Sequence, residues 1–223
     1  MTLTTPWGEQ LDADAPLPEY PRPQLARDDW LTLNGRWRYA VTDFADADPL
    51  AVPDPTGAPD CDGTIVVPFS PETPLSGVGR RLGPAEALWY RRSFGLPVAT
   101  HGRRVLLHFG AVDQTCRVAV DGVEVGGHSG GYLPFSFDIT SALGAGEAHD
   151  LVVAVRDVTD TSWLARGKQS SRPGGIWYTP QSGIWQTVWL EVVPTVAVDA
   201  LDLLPDLAAG AVVVTVRSDH APS

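Results

Sequence analysis

The side chains able to do chemistry are mostly carboxylates, 27 Asp and Glu against 16 Lys and Arg. Two carboxyls flanking one bond can act as acid and base, but no pair is singled out here by spacing. The default for an acidic residue is a solvated surface charge. No Ser/His/Asp or Cys/His arrangement has a recognisable local context. The five histidines are scattered and no C-x-x-C occurs, so neither a metal site nor a cofactor is predicted. Asp113 stands out by position: it follows Phe109-Gly110-Ala111-Val112 and precedes an apolar run from Cys116, which puts it at a strand entry on a rim. A carboxylate there either accepts hydrogen bonds from two hydroxyls of a bound molecule or caps its own loop. Gln114 lies beside it, and Asp157 and Asp160 follow a later strand at the same presumed edge, Asp160 being the contact candidate. The other candidate is Arg166-Gly167-Lys168-Gln169, which runs through a polar Gly-rich loop into Ile176-Trp177-Tyr178. Lys168 is the only lysine. Trp177 and Tyr178 have rings suited to stacking, or to a core or interface.

These residues need a scaffold, and the chain reads as all-β. Residues 1–29 are rich in Pro and Asp, an extended segment expected to wrap the surface. Short apolar runs punctuated by Gly, Pro and Asp then predict strands at Trp37–Val41, Thr64–Val67, Leu88–Phe94, Arg103–Phe109, Cys116–Val120, Val123–Gly127, Phe135–Ile139, Leu151–Val155 and Ile184–Val193. In the last of these Ile184, Val188, Leu190 and Val192 fall on one face, and Trp185, Thr187, Trp189 and Glu191 on the other. No helical period holds over three turns; Ile139–Leu143 makes at most one helical turn. Asp121-Gly122 between two runs predicts a type I′ hairpin. Strands with long irregular connections fit a two-sheet sandwich, with loops 42–63, 70–87 and 156–180 on the rim. Trp30, Trp37, Trp89 and Trp189 are assigned to packing, Cys116 to a buried strand position, and His128 and Tyr132 to holding their Gly-rich loop. After Pro194 the pattern restarts with Val196–Leu204 and Ala211–Arg217, two strands that cannot bury a core of their own.

Composition narrows the function. A formal net charge of −11 and a pI near 4.7 disfavour nucleic acid, whose phosphates need a basic face. No apolar stretch approaches membrane-spanning length, and the first 30 residues have no basic start followed by an apolar run. A soluble, cytoplasmic protein is expected. Cys61 and Cys116 are too few for a disulfide framework.

The segment Gln181-Ser182-Gly183-Ile184-Trp185-Gln186-Thr187-Val188-Trp189-Leu190-Glu191 resembles the last strand of the N-terminal sugar-binding domain of glycoside hydrolase family 2. That family holds the β-galactosidases, β-glucuronidases and β-mannosidases. Further resembling segments occur in the same order: 27–37, Val66-Val67-Pro68-Phe69-Ser70-Pro71-Glu72, Leu88-Trp89-Tyr90-Arg91-Arg92-Ser93-Phe94, 107–113 and 127–140. The resemblance implies a jelly-roll β-sandwich of the galactose-binding-domain-like type over 30–194, after the extended segment 1–29. Residues 195–223 would then open an immunoglobulin-like β-sandwich domain. It also implies that bond cleavage belongs to a separate (β/α)8 barrel, where two Glu lie about 5 Å apart as retention requires. The acid/base Glu of the family follows an Asn, whereas the one asparagine here, Asn34, precedes Gly35. No catalytic residue is therefore assigned. Substrate contacts are expected at Asp113, Gln114, Asp160, Arg166, Lys168, Gln169, Trp177 and Tyr178. The implied partners are a carbohydrate substrate, reached through the full-length enzyme, and the downstream immunoglobulin-like and barrel domains; self-association as a homo-oligomer stays open. Two other classes remain in play, a free-standing carbohydrate-binding module and a purely structural domain. Galactoside, glucuronide and mannoside are not distinguished.

Overall fold

A computed structural model of the chain describes residues 4–218. After a one-turn helix α1 (Pro6–Glu9), the strands are β1 (Trp30–Thr32), β2 (Gly35–Asp43), β3 (Gly63–Val67), β4 (Glu86–Phe94), β5 (Arg103–Phe109), β6 (Val112–Asp113) and β7 (Thr115–Val120). They continue as β8 (Val123–Ser129), β9 (Phe135–Asp138), β10 (His149–Arg156), β11 (Gly183–Ile184), β12 (Val188–Pro194), β13 (Ala200–Asp206) and β14 (Ala211–Arg217). An antiparallel six-stranded sheet in the order β3-β2-β4-β10-β7-β8 faces an antiparallel four-stranded sheet in the order β1-β12-β5-β9. The sandwich predicted from the punctuated apolar runs is thus present.

Alternation explains why the layers close. Val188, Leu190 and Val192 of β12 and Val105, Leu107 and Phe109 of β5 point into one core. They meet Leu88 and Tyr90 of β4 and Leu151, Val153 and Val155 of β10 there. Trp37 packs edge-on against Tyr90, ring centroids 6.2 Å apart. The β7–β8 hairpin turns at Asp121 (φ 49°) and Gly122 (φ 78°), the two positive values that a type I′ turn requires. A single turn closes after Ile139, where the Ala142 N–H donates to the Ile139 carbonyl.

Two sequence expectations need correction. The continuous strand Ile184–Val193 is broken: residues 183–184 pair with β6, and pairing with β5 begins at Val188. The Gly183 turn (φ 75°) and its anchoring redirect the chain, which alternation alone does not reveal. The strand expected at Val196–Leu204 starts at Ala200 instead, because Ala197 is tucked inward and the Val198 carbonyl accepts from Arg27. Strands β1 and β6, too short to carry a period, were not anticipated. The β13–β14 hairpin is a separate two-stranded sheet.

Within the segment 1–29 expected to wrap the surface, residues 16–27 form a strap over the outer face of the four-stranded sheet. Asn34 fastens it: its amide nitrogen donates to the Pro16 carbonyl at 3.2 Å, and its oxygen accepts from Val188 N–H at 3.0 Å. The larger fastening is Glu191, on the outward face of β12 yet fully buried. Its carboxylate receives Tyr20 Oη at 2.6 Å, Arg22 at 2.5 Å, Arg27 at 3.3 Å and Trp189 Nε1 at 3.0 Å. Burial alone would raise this carboxyl, but the facing His108 ring together with donors such as Tyr20 and Trp189 holds it well below the usual carboxylate range. Replacing it leaves two arginines without their buried partner. Glu191→Gln is expected to lower unfolding free energy by about 3 kcal/mol near neutral pH and to speed proteolysis within 16–27. Because the folded carboxyl is depressed, its contribution is present at neutral pH and is lost on acidification below the ordinary value of 4.5. The variant's denaturation midpoint therefore changes less than the parent's as pH falls through that window.

Candidate functional site

At one rim of the sandwich, β6 and β11 pair for two residues, Asp113 opposite Gly183 and Val112 opposite Ile184. Side chains from the six-stranded sheet and its connections hold this small ladder. The buried Tyr90 hydroxyl accepts from Ile184 N–H at 3.1 Å, and Glu72 accepts from Ser182 N–H at 3.0 Å. Asp157 accepts from the Ser182 hydroxyl at 2.8 Å. A Cβ on Gly183 would lie 2.0 Å from the Tyr90 hydroxyl oxygen, so only glycine fits. The Asp113–Gln114 peptide is cis.

Asp113 is 3% exposed. One carboxyl oxygen accepts from Gln169 Nε2 at 2.9 Å; the other packs against Gly131, where a Cβ would approach to 2.4 Å. Its polar partner is neutral, and two further carboxylates, Asp157 and Glu72, lie behind it. Burial first, then the charge of Asp157, lifts the Asp113 carboxyl from 3.8 to about 7. Burial likewise raises Asp157 and Glu72.

Asp113 opens on a pocket of about 320 Å³ lined by Tyr132, Arg166, Lys168, Gln169, Tyr178 and Trp185. Five of the eight predicted contact residues therefore meet here: Asp113, Arg166, Lys168, Gln169 and Tyr178. Gln169 ties the loop to the floor by donating to Asp113 and to the Tyr132 hydroxyl at 3.3 Å, while its oxygen accepts from Gln181 N–H. The other three lie elsewhere. Gln114 is buried, its amide donating to the Ala165 carbonyl at 2.8 Å, so it holds the loop. Asp160 accepts from both hydroxyls of Ser170 and Ser171 and from Ser171 N–H, an intraloop clasp. Trp177 lies outside the pocket with the Arg166 guanidinium 5.8 Å over its ring. Trp177 and Tyr178 are 40% and 67% exposed, so within this chain they are not core residues.

Tyr132 and Trp185 are pocket walls that sequence reasoning assigned to loop support and to a strand face. The Trp185 indole is fixed by donating to the Gly131 carbonyl at 2.7 Å. The available signal for Tyr132 was an aromatic within Gly-Gly-Tyr-Leu-Pro, a loop with no core of its own to join. For Trp185 it was the preceding Ser-Gly, which breaks the strand before the aromatic.

The site can hold a hydroxyl-rich, ring-shaped molecule. Asp113, held by Gln169, supplies directional hydrogen bonds at the floor, Arg166 and Lys168 line the wall, and Tyr132, Tyr178 and Trp185 supply apolar faces. Among the described residues no group of His, Cys, Asp and Glu has a metal-binding arrangement. The raised Asp113 carboxyl carries a stability cost. The folded state holds its proton more tightly than the unfolded one between 3.8 and about 7, so stability falls as pH rises through that window. Asp113→Asn removes the ionisation. Its unfolding free energy is expected to be flatter across this range and higher at pH 8 by up to about 4 kcal/mol, read by urea denaturation at each pH.

The profile described as "Glycosyl hydrolases family 2, sugar binding domain" matches residues 80–194, which include β6, the 157–182 loop and β11. A β-galactosidase of Thermoanaerobacter pseudethanolicus is 34% identical over 107 residues, covering 47% of this chain and 14% of that protein. One from Bacteroides ovatus is 30% identical over 166 residues, covering 71% of this chain and 17% of that protein. The solved β-glucuronidase of Faecalibacterium prausnitzii superposes with a TM-score of 0.63 at 25% identity, covering 90% of this chain and 37% of that one. The chain thus spans only a small part of the length of its curated relatives. A sandwich of this topology, with the match running through the residues that build the pocket, leads to one assignment: the chain belongs to the sugar-binding domain family of the family 2 glycosyl hydrolases.

Proposed function

We propose that this chain is the non-catalytic sugar-binding domain of a retaining family 2 glycosidase, and that Asp113 helps orient the terminal sugar in an active site completed by a downstream (β/α)8 barrel. The observation that carries the reading is Asp113 itself: a buried carboxylate with a neutral partner, on the floor of an aromatic-walled pocket. Such a group gains hydrogen bonds when ligand hydroxyls reach it. Relatives named β-galactosidase and β-glucuronidase, each much longer than this chain, support a catalytic domain elsewhere. The chain has no Asn-Glu pair to act in the family's manner. The β13–β14 hairpin, with Leu203, Leu204, Val213 and Val214 exposed, fits the opening of the immunoglobulin-like domain expected next.

In the longer enzyme, Asp113→Ala is expected to lower kcat/KM on an aryl glycoside by about 10- to 100-fold, because misplaced substrate costs rate without altering the chemical step. The purified chain alone should hydrolyse no aryl glycoside. Unchanged kinetics in the variant would remove Asp113 from the site, and turnover by the chain alone would end the non-catalytic reading.

A second reading is favoured by one observation. Trp163, Trp177 and Tyr178 are exposed on the 157–182 loop, and exposed aromatic rings are what a free-standing carbohydrate-binding module needs for stacking on a sugar. Titration of this chain with galactose, glucuronic acid and mannose separates the two. A Kd on the order of 1 mM or tighter supports the module, whereas weaker binding supports a half-pocket awaiting its barrel.

A further inference from the structure

A second and larger cavity, about 570 Å³, adjoins the Asp113 pocket; Tyr132 and Trp185 line both. We infer that this groove between the strap and the sandwich is a subsite for a second, neutral sugar unit of a β-linked oligosaccharide whose terminal unit occupies the Asp113 pocket. The inference rests on the proposed sugar-binding reading and extends it to a substrate longer than one sugar.

The groove is preorganised on both sides. On the strap side, Tyr20 and Arg22 line it while fixed to the buried Glu191. On the sandwich side, Trp189 donates to the same carboxylate at 3.0 Å and Trp185 donates to the Gly131 carbonyl at 2.7 Å. Neither ring must be ordered on binding, which lowers its cost. The volume lies within the ~300–1,000 Å³ of small-molecule sites.

The chemistry of the lining selects the occupant. Two polar side chains in the groove, Glu19 and Gln186, are engaged in no hydrogen bond or ion pair among the described residues. Gln186 lies across Gly110, where a Cβ would meet the Gln186 Cβ at 2.7 Å and its amide oxygen at 3.0 Å, so the glycine lets the amide lie there. A carboxylate and an amide beside tryptophan and tyrosine rings match hydroxyls on one aspect of a pyranose and C–H groups on the other. An apolar peptide would leave the half-buried Gln186 amide unpaired. A uronate in this position would meet the Glu19 charge and the chain's net −11, while the Arg22 guanidinium of the lining is already paired with Glu191. Tyr132 and Trp185 line both cavities, so a ligand longer than one sugar unit would meet the two in succession.

The test uses this chain and ligand-observed saturation-transfer NMR. The probes are galactose and glucuronic acid, and β-linked tri- and tetrasaccharides with the same end units and neutral interiors. The oligosaccharides are expected to bind about tenfold tighter than the single sugars. Glu19→Gln and Gln186→Ala should each weaken oligosaccharide binding about three- to tenfold and leave the single sugars unchanged. Thermal melts of each variant matching the parent's exclude misfolding as the cause. Asp113→Ala should weaken both ligand classes. Oligosaccharides that bind no tighter than monosaccharides overturn the inference, including the case in which nothing binds; so do groove variants that affect neither class or both equally. If the groove variants act selectively while Asp113→Ala changes nothing, the subsite stands and the role of Asp113 falls.

Discussion

The two-residue pairing of β6 with β11 is the constraint on which the site depends. It diverts the chain out of the main sheets for two residues, and Asp113 and Trp185 reach one rim as a result. So short a ladder cannot hold itself. Its rigidity is borrowed from Tyr90, Glu72 and Asp157, which take the backbone and hydroxyl donors of residues 182–184. The core of the sandwich, through Tyr90, is thereby coupled to the floor of the pocket.

The same arrangement concentrates negative charge. Glu72, Asp157 and Asp113 share one end of the sandwich, and burial raises all three carboxyls. Glu72 and Asp157 receive backbone N–H groups, which compensate part of their desolvation. Among the described residues Asp113 receives a side-chain amide alone and stays the most open to a new donor. Stability given up at such a place is a common mark of a binding site, since the missing partner arrives with the ligand.

At the other carboxylate centre the balance is reversed. Glu191 is buried but saturated by donors from the strap and the sheet, so it serves attachment and not recognition. That attachment turns residues 17–22 into a wall, and the groove beside the Asp113 pocket exists only because the strap is held there.

How much of this was legible follows from the range of the interactions involved. Alternating apolar runs with Gly, Pro and Asp between them determined the all-β class, most strand positions and the Asp121-Gly122 hairpin, because side-chain direction and turn dihedrals are local properties. Asp113 and the 166–169 loop were singled out with the help of the resemblance to the family's sugar-binding domain, and the fold brings them to one pocket. Tertiary structure alone decided that the segment after Gly183 breaks, because the cause is a Tyr90 hydroxyl more than 90 positions earlier in the chain. It alone decided that Gln114 and Asp160 clasp loops while Tyr132 and Trp185 become walls, and that an outward-facing glutamate is buried. Each of these outcomes depends on which distant group arrives within hydrogen-bond reach, and that distance is set by the packing of two sheets.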